Sequence, residues 1–420
     1  MRKTWDAVFI GGGAAGLAGA IMLKRLCGEA SVLIVEKGQR VGRKLLATGN
    51  GTCNFSNREA NALQYHGQDP AFPAAALTAF PPSDAAAFFA SIGVESEVRS
   101  NGRMYPICAS ASAVLDCLRA ECAARGVEVL CDTAVTAIEP QKGGFLLKTA
   151  GEPIETKLVA VTAGGAASPS LGGCADGYAL LTALGYKKTP LFPSIVQVRT
   201  DTAFVKAVKG LRVDGTVTFR LNGTPVASET GEILFTEYGI SGPAVMQISR
   251  VVGDWERAKK GELTAHIDLL PAMPADTLKE KLNTRKLLFA NRSLEDYLTG
   301  LLHKRIGQTV LRYVKVVPLT REAGSLTEEE TKAIADGIKN WTLTVTGTQG
   351  FGGAQVTAGG IDTADFEPYT MESKRHPGLF AAGEVLDVDG DCGGFNLHFA
   401  WASACAAASA MSERLSEASV

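Results

Sequence analysis

Short apolar runs alternate with helical stretches at the start of the chain. Ala7–Ile10 and Ser31–Val35 have the length and composition of parallel strands that are buried on both faces. The alanine-rich stretch between them predicts a helix that ends near Cys27. The same pattern recurs in one helix and three strands, at residues 115–124, 127–131, 134–138 and 157–161. This alternation predicts an α/β domain built on a parallel sheet.

The turn between the first strand and the first helix carries the first functional signal. It reads Gly-Gly-Gly-Ala-Ala-Gly over residues 11–16. In such a turn Gly11 permits the tight bend, Gly13 lets backbone approach a pyrophosphate, and Gly16 lets helix and strand pack closely. Glu36 ends the second strand, where an acidic side chain accepts hydrogen bonds from an adenosine ribose. These residues predict a dinucleotide bound through its AMP half, without separating FAD from NAD.

Between residues 191 and 340 the pattern changes. Strand-like alternation near 195–199, 216–221 and 232–235 gives way to helical stretches near 241–251, 277–286 and 294–306. A segment of this length is large enough to fold independently. The sequence therefore predicts a discontinuous nucleotide-binding domain over residues 1–190 and 341–420. It also predicts an inserted substrate or partner domain at 191–340, β-rich over 191–270 and helical over about 271–340.

Composition narrows the classes of protein. A chain of 420 residues that is 46% hydrophobic and 20% charged is typical of globular proteins, and a net charge of -2 gives no overall attraction to nucleic acid or membranes. Nine scattered cysteines without a CxxC pair, and no signal-peptide-like start, predict a cytoplasmic protein. No apolar stretch reaches membrane-spanning length. No HExxH or paired CxxC motif indicates a metal site, so none is expected.

Three longer stretches are more specific than the glycine turn. They lie at residues 41–57, at 234–243, and from 356 through 370–373 to 397. With them, and over essentially its whole length, the chain resembles a bacterial family of two-dinucleotide-binding-fold flavoproteins that includes the YhiN-type proteins, BaiN and aminoacetone oxidase. The resemblance implies a Rossmann-like FAD-binding domain of the glutathione-reductase type. It further implies an interruption by a β-barrel-like and a small helical domain.

The resemblance also implies how FAD is held. The AMP half would lie on the first turn, the segment from Gly42 to Asn54 along the ribityl chain and isoalloxazine, and Gly383–Glu384 at the ribitol. The helix opening at Gly393 would direct its N-terminus at the flavin pyrimidine edge, where reduced flavin carries negative charge. The implied contacts are Gly11, Gly13, Ala14, Ala15, Gly16, Glu36, Lys37, Gly42, Arg43, Lys44, Thr48, Gly49, Asn50, Gly51, Cys53, Asn54, Val135, Thr162, Ala163, Gly164, Gly383, Glu384, Gly393, Gly394, Phe395, Asn396 and Leu397.

Candidate acid–base residues are few. Tyr105, which follows Arg103 in a turn-like segment, would suit protonation of a reduced carbon–carbon double bond. Glu237 and His398 are further candidates, although both depart from the residues common in the family at these positions. Cys53 has no cysteine near it in sequence, so it is interpreted as a small residue packed beside the flavin rather than as half of a redox disulfide.

Three functions stay open. The preferred one is reduction of an activated C=C bond, such as a 3-oxo steroid (bile-acid) enone as in BaiN-like members, with NADH or NADPH as a transient electron donor. The second is oxidation of an amino-ketone such as aminoacetone by oxygen. The third is synthesis of dihydrouridine in ribosomal RNA, because uracil also has an activated double bond. RNA would then meet a basic face of the insert, comprising Arg285, Lys286, Arg292, Lys304, Arg305, Arg312 and Lys315.

Overall fold

The computed structural model describes residues 4–417. The chain forms two compact units. The first unit combines the residues up to 192 with those from 355 onward, and the second unit comprises residues 193–354.

The strands are β1 (Thr4–Ile10), β2 (Val32–Val35), β3 (Ser56–Asn57), β4 (Tyr65–His66), β5 (Ser96–Val98), β6 (Arg103–Pro106), β7 (Glu128–Leu130), β8 (Val135–Gln141), β9 (Gly144–Thr149), β10 (Ile154–Val161), β11 (Phe192–Ser194), β12 (Val198–Thr200), β13 (Arg212–Leu221), β14 (Thr224–Phe235), β15 (Gly239–Ser241), β16 (Leu263–Asp268), β17 (Trp341–Thr348), β18 (Val356–Ala358), β19 (Leu379–Ala381) and β20 (Asp389–Gly390). The helices are α1 (Ala14–Leu26), α2 (Pro73–Ala79), α3 (Pro82–Ala90), α4 (Ala111–Ala124), α5 (Asp176–Ala183), α6 (Pro243–Ile248), α7 (Arg250–Ala258), α8 (Ala275–Leu288), α9 (Leu294–Tyr297), α10 (Lys304–Tyr313), α11 (Glu328–Lys339), α12 (Gly350–Gly353) and α13 (Phe395–Glu417).

The first unit is built on a seven-stranded sheet. Strands β7, β2, β1 and β10 lie side by side and are parallel. The other edge of β10 pairs with β19 in parallel and with β9 in antiparallel orientation, and β8 follows β9. The central strands β1, β2 and β10 consist largely of buried aliphatic residues, as sheets covered on both faces require. The predicted parallel α/β class is confirmed.

Helices α1 and α13 pack against each other in the first unit. Small residues permit this close approach, since a Cβ added at Gly19 would lie 2.6 Å from the Phe9 ring and 3.4 Å from the Ala404 carbonyl oxygen. Further along α13, the Trp401 indole donates a 2.9 Å hydrogen bond to the Phe55 carbonyl oxygen. The N-terminal end of α13 is therefore held beside the segment that precedes β3. No described helix is both long and apolar enough to cross a membrane.

The second unit contains a closed antiparallel barrel in the order β12-β15-β14-β13-β16-β17. Val217, Phe219 and Phe235 fill its core together with Trp341, whose ring stacks on Phe235 with centroids 5.3 Å apart. The predicted barrel-like insert is therefore confirmed. One predicted boundary is wrong, because residues 341–348 form β17, which closes the barrel by pairing with β12 and β16. Helices α6 and α7 lie where a helical stretch was predicted near residues 241–251.

Candidate functional site

The turn after β1 has the shape that a diphosphate needs. Gly11 has a φ of 109°, and a Cβ there would lie 2.6 Å from the Thr162 carbonyl oxygen. A Cβ at Gly16 would lie 2.0 Å from the Gly11 oxygen, so both positions require glycine. Gly13 differs, because a Cβ there would meet no atom within 4 Å. No side chain caps α1 at this residue, which leaves its first N–H groups facing open space.

Glu36 is held in a fixed orientation at the end of β2. Its Oε2 accepts a 2.9 Å hydrogen bond from the Gly12 N–H, and its Oε1 accepts one of 2.7 Å from the Gly38 N–H. The Glu36 backbone oxygen accepts from Thr133, which brings the chain leading into Val135 alongside. The free lone pairs of a half-buried carboxylate suit ribose hydroxyls, which are hydrogen-bond donors.

The segment from Gly42 to Asn54 presents irregular backbone. Asn50, in a short 3₁₀ region over Leu45–Gly51, and Cys53, just after it, adopt the left-handed conformation with φ of 54° and 59°. The Gly42 N–H donates to the Gly12 oxygen at 2.8 Å, which ties the segment to the turn after β1. Lys44 forms a 2.7 Å ion pair with Glu384. Two segments that are 340 residues apart in sequence are thereby joined.

The sequence predicted cofactor contacts at Thr162, Ala163 and Gly164 but none in the loop that follows them. This loop comprises residues 165–175 and leads into α5. Arg43 donates a 2.8 Å hydrogen bond to the Ser170 carbonyl oxygen, and Lys37 forms a 2.9 Å ion pair with Asp176. Its glycines and serines look like an ordinary loop in sequence, and only these two contacts show that it belongs beside the predicted cofactor residues.

The start of α13 closes the arrangement. Gly394 has a φ of 99°, and a Cβ there would lie 2.3 Å from the Ser56 carbonyl oxygen and 2.8 Å from Asn54 Oδ1. That Asn54 oxygen is buried and has no hydrogen-bond partner in the described chain. Asn396 uses its amide on Gly390 instead, accepting from its N–H at 2.8 Å and donating to its oxygen at 2.7 Å. Asn396 therefore shapes the turn before the helix.

These features meet the requirements of FAD. The open Gly13 position suits the diphosphate, the fixed Glu36 carboxylate suits the ribose, and the unpartnered Asn54 oxygen suits a donor such as the imide N–H of a flavin. All three belong to one compact unit. Among the described residues no group of three His, Cys, Asp or Glu side chains is placed to hold a metal ion.

The structure treats the three acid–base candidates differently. Tyr105 lies at the cofactor segment, since its Cε1 atom would be 3.3 Å from a Cβ at Gly49. The Arg99 guanidinium lies over the Tyr105 ring, 4.5 Å from its centre. Glu237 belongs to the second unit, where an ion pair with Lys209 lowers the pKa of this exposed carboxyl. It is ionised near neutral pH and is a poor proton donor.

His398 is completely buried. Its Nδ1 lies 3.0 Å from Ser56 Oγ, and its ring packs near Phe80. Burial lowers the pKa of His398 to about 4, so the ring is neutral near pH 7. A neutral imidazole is a weak acid, and this one has no access to solvent, so a packing role for His398 is favoured.

Cys53 is also buried, and burial raises the pKa of its thiol to about 11. A protonated thiol is a weak nucleophile. All nine cysteines are free. These observations agree with a small packed residue beside the cofactor segment rather than with a redox cysteine.

The basic face of the second unit is partly used inside the protein. Arg285 donates to the Tyr297 and Thr299 carbonyl oxygens at 2.6–3.0 Å, and Arg305 donates to the Ala207 oxygen. Lys304 pairs with Asp296 at 2.7 Å. Only part of the charge predicted for RNA is therefore free to meet phosphates.

Comparison with known proteins identifies the family. The family model described as "HI0933-like protein Rossmann domain" matches residues 5–410. The chain belongs to this family. The family of FAD-dependent oxidoreductases identified from the motifs is thereby confirmed, and so is the fold that it implied. A relative from Clostridium scindens, a 3-dehydro-bile acid delta(4,6)-reductase, is 36% identical over 96% of this chain and 98% of its own.

A second relative is a ribosomal RNA dihydrouridine synthase from Haemophilus influenzae, 32% identical over 99% of this chain and 100% of its own. Among solved structures, a 3-ketosteroid delta1-dehydrogenase from Sterolibacterium denitrificans matches with a TM-score of 0.52 at 12% identity, covering 98% of this chain and all of that one. An Escherichia coli quinol fumarate reductase matches with a TM-score of 0.51 at 16% identity, over 100% of this chain and 72% of that one. At these identities the two structures show the shared fold alone.

Proposed function

We propose that this chain is an FAD-dependent reductase of an activated carbon–carbon double bond, with NADH or NADPH as electron donor and a 3-oxo steroid of the bile-acid type as substrate. One observation carries the proposal. The turn after β1, the Gly42–Asn54 segment and the start of α13 are joined by backbone and side-chain contacts, in a chain 36% identical end to end to a bile-acid reductase.

The first unit holds the cofactor in this proposal. The diphosphate lies on the N–H groups of α1 at Gly13, Glu36 binds the ribose, and Glu384 with Lys44 holds the ribitol side. The N-terminus of α13 supplies partial positive charge to the flavin. When bound, FAD supplies hydride to the substrate. The second unit contributes substrate or partner contacts.

Tyr105 is the proton donor that the geometry favours. It is half-buried and lies against Gly49 of the cofactor segment, whereas Glu237 is ionised and His398 is buried and neutral. A phenol holds its proton at neutral pH and can give it to carbon when negative charge develops there. The nine free thiols suit a reducing cytoplasm.

The decisive experiment follows the flavin absorbance of the purified protein under anaerobic conditions. NADH or NADPH is expected to bleach the flavin band, and a 3-oxo-Δ4,6 bile acid is expected to restore it, with one C=C bond of the bile acid reduced for each flavin reoxidised. Bleaching by aminoacetone, with peroxide formed when oxygen is admitted, would favour the oxidase instead. If neither NADH nor NADPH reduces the flavin, the proposed electron donor is wrong.

Ribosomal RNA dihydrouridine synthesis is the second candidate, favoured by the 32% identity to a synthase over the whole chain. The guanidiniums of Arg285 and Arg292 lie 4.9 and 4.4 Å from the centre of the Phe289 ring, and such a group of cations would suit the RNA backbone. Nucleoside analysis of ribosomal RNA from a deletion strain tests it. Loss of one dihydrouridine, restored by the wild-type chain, would replace the bile-acid substrate with uridine.

A further inference from the structure

Arg103 is half-buried, and its guanidinium has no hydrogen-bond or ion-pair partner within residues 4–417. Most described lysines and arginines of the first unit donate to a carboxylate or a carbonyl oxygen. Those that do not, besides Arg103, are exposed: Arg40, Lys142, Lys187 and Lys188. Removing part of a charged group from water without pairing it costs free energy. Arg103 therefore indicates an anionic or strongly polarised oxygen that the chain itself does not supply.

The neighbours of Arg103 place it at the cofactor site. It opens β6 and lies opposite Asn57 of β3. Its Nε would be 3.6 Å from a Cβ at Gly393, immediately before α13. Burial raises the pKa of the adjacent Cys392 thiol, and the charge of Arg103 opposes that rise. The guanidinium and the helix N-terminus thus concentrate positive charge in one place.

Arg103 and Tyr105 point to the same side of β6. Along this strand Met104 and Pro106 are buried, whereas Arg103 and Tyr105 are half-exposed. Residues two apart on a strand lie on one face, at roughly 7 Å from each other. Because Tyr105 contacts the Gly49 position of the cofactor segment, a permanent cation and a phenol face the same space. Long side chains that start from this spacing can converge on the carbonyl oxygen and the neighbouring α-carbon of one enone.

We propose that Arg103 binds the carbonyl oxygen of the substrate and stabilises the negative charge that this oxygen gains during reduction. The inference rests on the proposed reductase function. FAD, once reduced by NADH or NADPH, would supply hydride to the β-carbon, and the C=C π electrons would move onto the carbonyl oxygen that Arg103 binds. The α-carbon then takes a proton from Tyr105, which regains one from water, and the carbonyl double bond re-forms. A fixed guanidinium lowers this barrier because the charge develops only in the transition state.

Substitution of Arg103 tests the assignment. Arg103→Gln is expected to lower kcat by about 10²- to 10³-fold, and Arg103→Lys by less, because lysine keeps the charge without the planar fork. Arg58→Gln is the matched control, since its exposed side chain pairs with Glu59 near the same small sheet, and it is expected to stay within about twofold. FAD content and flavin midpoint potential should match the wild type in all three variants. A kcat equal to that of the wild type in Arg103→Gln overturns the assignment. A lowered kcat together with a shifted flavin potential would mean that Arg103 acts on the cofactor and not on the substrate.

Ligand binding provides a readout that needs no turnover. A phenolic steroid such as 17β-estradiol, when ionised, imitates the enolate, and its binding to the oxidised holoenzyme can be followed by the flavin spectrum. Affinity is expected to rise with pH as the phenol ionises, and to fall at least tenfold in Arg103→Gln but not in Arg58→Gln. Binding that depends on Arg103 in a chain that reduces no enone refutes the reductase and keeps the anion site. Enone reduction with Arg103-independent binding, or no binding by the wild type, refutes the Arg103 assignment alone.

Discussion

The two units use their cations in opposite ways. In the first unit, half-buried Arg103 lies beside Gly393 at the start of α13 and has no hydrogen-bond or ion-pair partner among the described residues. The unpartnered oxygen of Asn54 lies beside the next residue, Gly394. In the second unit, Arg285 and Arg305 belong to the basic face predicted from the sequence, yet they donate to backbone carbonyl oxygens. A charge-rich stretch can therefore be structural, whereas a single arginine without a partner indicates binding. The number of charges matters less than whether the fold already satisfies them.

The largest expected effect follows from filling the open position in the first unit. Gly13→Leu places a side chain where a Cβ meets no protein atom but where the diphosphate is proposed to lie. Because the protein has room for it, the fold should survive while FAD content of the purified protein falls to a small fraction. Gly28→Leu is the control, since Gly28 is equally open and lies at the end of α1 away from the turn. Full flavin content in Gly13→Leu, checked by absorbance and circular dichroism, would contradict the proposed diphosphate position.

Tyr105→Phe removes the proposed proton and leaves the ring in place. A decrease in kcat of about 10²-fold is expected with FAD binding unchanged, because general-acid catalysis typically contributes 10²–10⁴-fold. Glu237→Gln, in the second unit, should change kcat less than twofold, since an ionised and exposed carboxylate has no proton to give. Stopped-flow reoxidation of reduced enzyme by the enone measures both. Equal decreases in kcat for the two variants would contradict the assignment of the proton donor to the first unit.

His398 makes the stability of the first unit depend on pH. Its folded-state pKa is about 4 against 6.5 for the free side chain, so the unfolded chain binds the proton more readily between these values. The stability from burying neutral His398 is complete above pH 6.5. It is lost as pH falls from 6.5 towards 4, by about 3 kcal/mol in total. Urea unfolding of wild type and His398→Gln at fixed FAD concentration measures the difference, which should shrink with decreasing pH. A difference independent of pH would mean that His398 is not buried in its neutral form.

The internal use of Arg285 predicts a stability effect in the second unit. Arg285→Ala removes three hydrogen bonds to carbonyl oxygens of residues 297 and 299, and a loss of about 1–3 kcal/mol is expected. Arg312→Ala, an exposed residue of the same basic face, should change stability by less than about 0.5 kcal/mol. Chemical denaturation measures both. Similar losses of stability in the two variants would mean that the hydrogen bonds of Arg285 do not stabilise the second unit.

The smallest effect is expected from the exposed part of the basic face. Combined Arg292→Gln, Arg312→Gln and Lys315→Gln should leave reduction of a small enone within about twofold, because none of these side chains is required by the proposed chemistry. If the substrate is ribosomal RNA, the same variant should instead restore dihydrouridine poorly in a deletion strain, since each phosphate contact adds to affinity. The variant thus separates the two substrate classes without disturbing the cofactor.

Several parts of this protein were readable from sequence because they depend on local rules. Glycines at 11 and 16 are required by backbone contacts within a few ångströms, and the apolar runs of β1, β2 and β10 follow from burial on both faces. The barrel was predicted only in outline. Strand β17 was placed in the wrong domain because its closing partners lie far away in the chain, about 75–80 residues earlier for β16 and about 145–150 residues earlier for β12. Sequence alternation does not report such long-range pairing.

By itself the sequence determined the dinucleotide-binding turn, the acidic Glu36 at the end of the second strand, and the family. Only the tertiary structure decided which polar residues are free to act. In the folded protein His398 is buried, and Glu237 forms an ion pair with Lys209. Arg285 donates to backbone oxygens, whereas Arg103 lies beside Gly393 without a partner among the described residues. The physical reason is that a residue's charge and its ability to donate a proton depend on neighbours that are far away in sequence. Those neighbours meet only when the chain has folded.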